Sequence, residues 1–194
     1  MAKSLKQQIV ISGVGGQGVL FVTRLLAEAA IMKGFSVFTS ETHGMAQRGG
    51  TVLSHVKVGT FSSPLIRPLQ ADGLLALQAD GLVQHGFYLK PGAWAAVNCS
   101  SDQMPGCNGT ALAVDGDSLA RKIKSPKSVN LILLGFAIAA TSTRSENKRL
   151  FCSPDDIRTV LEKRLAADKK MIAAAMQALE TGYAAYAMKA AMGV

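Results

Sequence analysis

Two short stretches carry residues whose types and spacing could do chemistry. The first is "GVGGQG", Gly13 to Gly18. Gly13, Gly15 and Gly18 meet the pattern G-x-G-x-x-G, with Gly16 as a fourth glycine and Gln17 as a polar amide at the tip. Glycines let a backbone turn tightly and approach a phosphate. The free N–H groups and dipole of a following helix then favour an anion. The second stretch is "ETHGMAQRGG", Glu41 to Gly50. It places a carboxylate (Glu41), an imidazole (His43), an amide (Gln47), a guanidinium (Arg48) and the glycines Gly44, Gly49 and Gly50 in one short loop. Arg48 can grip a carboxylate or phosphate through two parallel hydrogen bonds. Glu41 lies where an acid could hold a ribose hydroxyl in a dinucleotide fold, about 20 residues after the glycines. A dinucleotide site is therefore one reading. The other is a tight structural turn, with Glu41 opening a separate loop motif.

These loops need elements to position them. An apolar strand over Gln8–Ser12 leads into the glycines, and a helix from about Gly16 to Lys33 leads out, stopping at Gly34. Val19, Val22, Leu26 and Ala29 form its buried stripe. A second strand covers Phe35–Glu41. In "TVLSHVKVG" the alternation of valines and Ser54 with Leu53, His55 and Lys57 predicts a strand with one wetter face. Further short strands are expected at Leu74–Gln78, Ala93–Asn98 and Ala111–Asp115, with a helix between 78 and 87.

The remainder, about 128–194, reads as a helical tail. "SVNLILLGFAIAAT" is apolar nearly all round and predicts a buried helix. "SPDDIRTVLEKRL" starts strongly, with Ser153 as cap, Pro154 at the first helical position and two acids in the first turn. A last helix, about Asp168 to Met192, carries a seam of Ile172, Met176, Leu179, Tyr183, Tyr186 and Ala190, expected to pack on its own domain. Strands alternating with helices predict an α/β fold of one domain over 1–194. Its form is Rossmann-like and doubly wound, a largely parallel sheet flanked by helices. Ligands of such sheets sit at the carboxyl ends of the strands, where both motifs fall.

Composition narrows the classes. The net charge is +8, and residues 121–170 hold 12 Lys/Arg against 5 Asp/Glu, so the surplus is concentrated there. Only Phe136 and Phe151 supply aromatics to that segment, which disfavours nucleic acid. The segment reads as a solvated helical surface. The longest apolar run, Leu131–Ala140, is shorter than the roughly 20 residues a membrane span takes. No signal peptide is read, so neither a membrane nor a secreted setting is expected, and a cytoplasmic location follows. Cys99, Cys107 and Cys152 are widely spaced and form no C-x-x-C pair, so they read as free thiols and no metal site is expected.

The pair "GVGGQG" and "ETHGMAQRGG", followed by "SHVKVG" and "SPLI", resembles the gamma subunit or domain of 2-oxoacid:ferredoxin oxidoreductases. Within that family it looks most like the small (beta) subunit type that serves indolepyruvate. The resemblance covers residues 1 to 140 and the general layout of the tail. It implies a Rossmann-like accessory subunit, inactive alone, beside a larger catalytic subunit that holds thiamine diphosphate and iron–sulfur clusters. The implied reaction is oxidative decarboxylation of a 2-oxoacid, with coenzyme A accepting the acyl group and ferredoxin the electrons. The chain itself would bind none of these cofactors alone and contribute no catalytic residue. "VDGDS" at 114 does not match the motif of a thiamine diphosphate site.

The resemblance casts Gly13, Gly15, Gly16, Gln17 and Gly18 as a turn facing the partner or the phosphates of coenzyme A. It casts Glu41, His43, Gln47, Arg48, Gly49 and Gly50 as a loop on the partner or substrate path. A stand-alone nicotinamide or flavin oxidoreductase, and a non-enzymatic binding module, remain alternatives. The first would need a second region with a general acid or base, and His85 alone, at a helix end, is poor material for it.

Overall fold

The computed structural model of the protein describes residues 5–43, 50–106, 110–145 and 148–191, with His43 described by its backbone alone. Gly44–Gly49, and so Gln47, Arg48 and Gly49 of the second motif, lie outside the described residues, as does the side chain of His43.

Six described strands, β1 (Gln7–Val14), β2 (Val37–His43), β3 (Thr51–Val58), β4 (Ala71–Ala76), β5 (Leu89–Asn98) and β6 (Thr110–Val114), form one sheet in the order β2-β3-β1-β4-β5-β6. β1, β4, β5 and β6 pair in parallel. β3 opposes both of its neighbours, β1 and β2. Five strands thus run one way and β3 alone runs the other, which agrees with a largely parallel α/β sheet.

The insertion of β3 changes one sequence-based reading. In a dinucleotide fold the second strand lies beside the first. Here Glu41 pairs with Ser54, and Ser54 with Ile11, so the Glu41 strand is two ladder spacings from β1, about 9–10 Å. The acid does not take the position that its spacing predicted.

The two sheet faces bury alternate residues. Ile9, Ile11, Val56, Val58, Leu75, Trp94 and Ala96 face α1 (Val19–Met32), α4 (Val129–Ser142), α5 (Pro154–Arg164) and α6 (Lys169–Ala191). Val10, Leu74, Ala95 and Val97 face the other way, under α2 (Ala79–His85) and Ile66 of the connection that follows β3. The expected wetter face of β3 is absent, because Ser54, His55 and Lys57 are all buried beneath that connection and α1.

The helix α4 is apolar round its whole circumference because the sheet covers one side and α6 the other. Burying each of Leu131, Ile132, Leu133, Leu134 and Phe136 contributes about 1.5–3 kcal/mol. The seam of α6 differs from the expected one. Ala175, Ala178, Leu179 and Gly182 are buried, Met176 and Tyr186 are half-buried, and Tyr183 is exposed. Small residues win because the two helices approach to backbone contact. A Cβ on Gly182 would stand 1.9 Å from the Ile132 carbonyl oxygen. Tyr186 still reaches Phe136 edge-on, with centroids 5.6 Å apart.

The start of α5 matches its sequence signature. Ser153 accepts from the Asp156 amide and Asp156 accepts from the Ser153 amide, which closes a capping box. A short helix that periodicity did not show, α3 (Gly116–Lys122), follows β6 and is capped by Asp115. Among the described residues no helix is long and apolar enough to cross a membrane.

Candidate functional site: the glycine turn and the ends of the parallel strands

β1 delivers the chain into the glycine turn at the carboxyl edge of the sheet. Gly16 has φ +94° and Gly18 has φ +83°, both in the left-handed region where a side chain is strained. Gly18 is constrained twice. A Cβ there would stand 2.1 Å from Asn130 Nδ2 at the start of α4, and that amide donates to the Gly18 carbonyl at 3.4 Å. The first helical residue of α1 is Val19, so the glycines form the passage into the helix and not its first turn.

The turn is closed by its own groups. The Gln17 amide donates to the Val14 carbonyl at 3.1 Å, and the Val14 amide donates to Gln17 Oε1 at 2.9 Å. The sequence placed Gln17 as a polar group at the tip. The structure folds its carbonyl oxygen back onto the strand. The Gly15 amide donates to the Gly50 carbonyl at 3.1 Å. The turn and the last residue of the second motif are therefore joined directly. Two N–H groups that a phosphate would use, those of Gly15 and Gln17, are committed within the protein.

Three concavities surround the turn. The one beside β5 and β6, about 350 Å3, is lined by Gln17, Gln78, Asn98, Ser100, Asp115 and Asp117 among others. A second, about 180 Å3, lies between Gly16, Asp117, Lys127 and Val129. The third, about 130 Å3, lies against Gly13, Thr51, Asp80 and Gln84. Asp115 is held below the usual carboxylate range by its hydrogen bonds from Ser118, so it is ionised at neutral pH. These walls hold three carboxylates against Lys127, which is the wrong sign for a pyrophosphate. The geometry favours a turn that is braced internally over one that grips a dinucleotide.

The sequence did not show the side chains that brace this edge. Asn98 donates to the Leu77 carbonyl at 3.2 Å and to Asp117 at 2.8 Å, and accepts from the Gly116 amide at 2.8 Å. A lone buried asparagine after a strand carries no motif, so only the fold brings these partners together. Ser12 Oγ lies 2.9 Å from Nδ1 of His85, joining β1 to the end of α2. Burial pushes the pKa of His85 down. His55 is also pushed down, first by burial and then by the neighbouring His85 and Lys57. The Ile66 amide donates to its Nδ1 at 3.3 Å, which requires that nitrogen to be unprotonated. Cys99 and Cys152 are buried, unpaired thiols, and burial raises the pKa of both. No group of three or more His, Cys, Asp or Glu side chains suited to a metal ion occurs among the described residues.

An α/β sheet of this order, with a glycine turn tied to the following loop, defines a class of domain that comparison with known proteins resolves. Residues 8–185 match the family described as pyruvate ferredoxin/flavodoxin oxidoreductase, and the chain belongs to that family. A protein of Thermococcus kodakarensis named indolepyruvate oxidoreductase subunit IorB is 28% identical, over 90% of this chain and 93% of its own length. A protein of the same name from Archaeoglobus fulgidus is 40% identical over 94 residues, 48% of this chain. That match spans 47% of the relative, about half its length. The gamma subunit of a keto/oxoacid ferredoxin oxidoreductase from Geobacter sulfurreducens shares the fold. Its TM-score is 0.71, at 24% identity, over 94% of this chain and 99% of that one.

Proposed function

We propose that the chain is the small accessory subunit of a 2-oxoacid:ferredoxin oxidoreductase acting on indolepyruvate or related aryl pyruvates. It works in the cytoplasm beside a larger subunit. That subunit carries thiamine diphosphate and iron–sulfur clusters, and coenzyme A and ferredoxin are the acceptors of the complex. Thiamine diphosphate supplies the carbanion chemistry that splits carbon dioxide from the 2-oxoacid. In the complex, coenzyme A would accept the acyl group and ferredoxin the two electrons released.

The residues of this chain position and do not react. Gly15 and Gly50 fasten the second motif to the sheet edge. Asn98, Asp117 and Asn130 hold the helix starts around the turn. Glu41, His43, Gln47, Arg48, Gly49 and Gly50 make the contact with the large subunit. Arg48 holds a carboxylate of that subunit or of the substrate. The observation that carries this reading is the Gly15–Gly50 bond, which ties the end of the second motif to the glycine turn in a chain of this family.

The test is co-expression with the candidate large subunit, followed by purification through a tag on this chain. Co-elution of a brown, cluster-bearing partner and 2-oxoacid oxidation by the pair support the reading. Oxidation by this chain alone contradicts it.

A further inference from the structure

The other end of the sheet holds a second cleft. Its volume is about 540 Å3, within the range of small-molecule sites. It lies between the start of β1, the end of β3 and the connection 59–70, with Gln8, Lys57, Phe61, Ser62, Ser63 and Arg67 on its walls. From Gln8 to Val14 is six strand steps, so the cleft is about 20 Å from the glycine turn. None of the residues considered so far for partner contact lies in it.

Lys57 is the unusual member. It is 7% exposed and stands between Val56 and Val58 on β3, opposite Gln8 of β1 and Phe38 of β2. An ammonium has three N–H donors. Among the described residues its hydrogen-bond acceptor is the Leu65 carbonyl, at 3.0 Å, and its charge sits over the Phe61 ring, 4.6 Å from the centroid. No carboxylate pairs with it in that set. Arg67 is close enough to disfavour its charge, and Lys6 stands 5.7 Å from the same ring. The nearby acid, Asp72, is already held by Lys90 and by the Gln8 amide at 2.7 Å. Lys57 lines the cleft with no carboxylate partner among the described residues, so an anion entering the cleft would meet an uncompensated charge.

The connection that carries the other wall is fixed. Ile66 is buried, and its amide is bonded to His55. The Leu69 amide donates to the Phe87 carbonyl at 3.0 Å.

The geometry points to a phosphate-binding site in this cleft, with Lys57 and Arg67 as the cations and the Ser62 and Ser63 hydroxyls as further donors. Two cations and two hydroxyls on one cleft suit a tetrahedral dianion better than a single carboxylate. Inorganic phosphate and a phosphate ester present the same group to it.

The experiment titrates the full chain with inorganic phosphate at fixed ionic strength, with sodium chloride and sodium acetate as controls, read by calorimetry and by 31P line broadening. One saturable phosphate site is expected, weakened at least about tenfold in Lys57→Met and about threefold or more in Arg67→Gln. Met keeps the buried stem and removes the charge. If Lys57→Met does not fold, the exposed Arg67→Gln decides alone. A response to phosphate no larger than that to chloride overturns the proposal. Binding unchanged in the folded variants, or acetate binding as tightly as phosphate, does so as well.

Discussion

The Gly15 amide donates to the Gly50 carbonyl across 3.1 Å, and through that bond the glycine turn holds the end of the loop that follows it. Turn amides that a nucleotide-binding loop keeps for its ligand, those of Gly15 and Gln17, are used here to hold protein. Nicotinamide dinucleotide should therefore not stabilise the chain. Thermal melting with the ligand at 1 mM, an arbitrary saturating level, should leave the midpoint within about 1 °C of the free value. A clear rise would restore the stand-alone dehydrogenase reading.

The turn glycines should rank by geometry. At Gly16 the left-handed backbone is the sole obstacle, because a Cβ would meet nothing within 4 Å. Gly16→Ala should cost about 1–2 kcal/mol. Gly18→Ala adds a collision with Asn130 to the same strain and should cost about 1 kcal/mol more than Gly16→Ala, or beyond. Chemical denaturation of both variants checks the order, and equal costs would show that Asn130 moves freely. Gly15, which has no positive φ, is not expected to follow this pattern for backbone reasons.

The α4–α6 contact gives a larger effect. Gly182→Val places a branched side chain against the Ile132 carbonyl, which is backbone and cannot swing aside. A loss of about 3 kcal/mol or more is expected. Tyr183→Ala, one residue on and exposed, should cost less than about 1 kcal/mol. Denaturant midpoints of the two variants separate this packing from the expected seam, which included Tyr183.

The buried His55 and half-buried His85 set a pH dependence. The pKa values of His55 and His85 are lowered in the fold, so the unfolded chain binds more protons than the folded one as pH falls through about 6.5. Their contribution to stability is complete above that pH. It is lost on acidification, by at most about 1.4 kcal/mol per pH unit for each group. His55→Gln should flatten the stability profile between pH 7 and 5. Unfolding measured across that range with an unchanged slope would place the proton uptake elsewhere.

Legibility followed how local each determinant was. The capping signal at Ser153–Asp156 and the all-round apolarity of α4 are written in neighbouring residues, and both elements appear where the sequence put them. The place of β3 between β1 and β2 depends on pairing between distant segments, so Glu41 looked like a ribose acid when its strand is displaced. Lys57 and His55 looked solvent-facing by alternation, and the connection 59–70 that buries them announces nothing of the kind in its own residues. The seven-residue α3 was too short for periodicity to show. The glycine turn was visible as a turn, but its bracing by the Gly50 carbonyl and its surroundings of Asp80, Asp115 and Asp117 are assembled only by the fold.

The most direct measurement of the central claim is the affinity of this chain for its large subunit, with kcat/KM of the reconstituted pair, for the wild type and for Arg48→Ala. Losing one partner of a buried charged contact costs about 2–5 kcal/mol. The account predicts an inactive chain alone and an active pair. It also predicts a folded Arg48→Ala chain that binds or turns over at least about thirtyfold less well. Turnover by the isolated wild-type chain, or a variant within about twofold of wild type in both quantities, would contradict it.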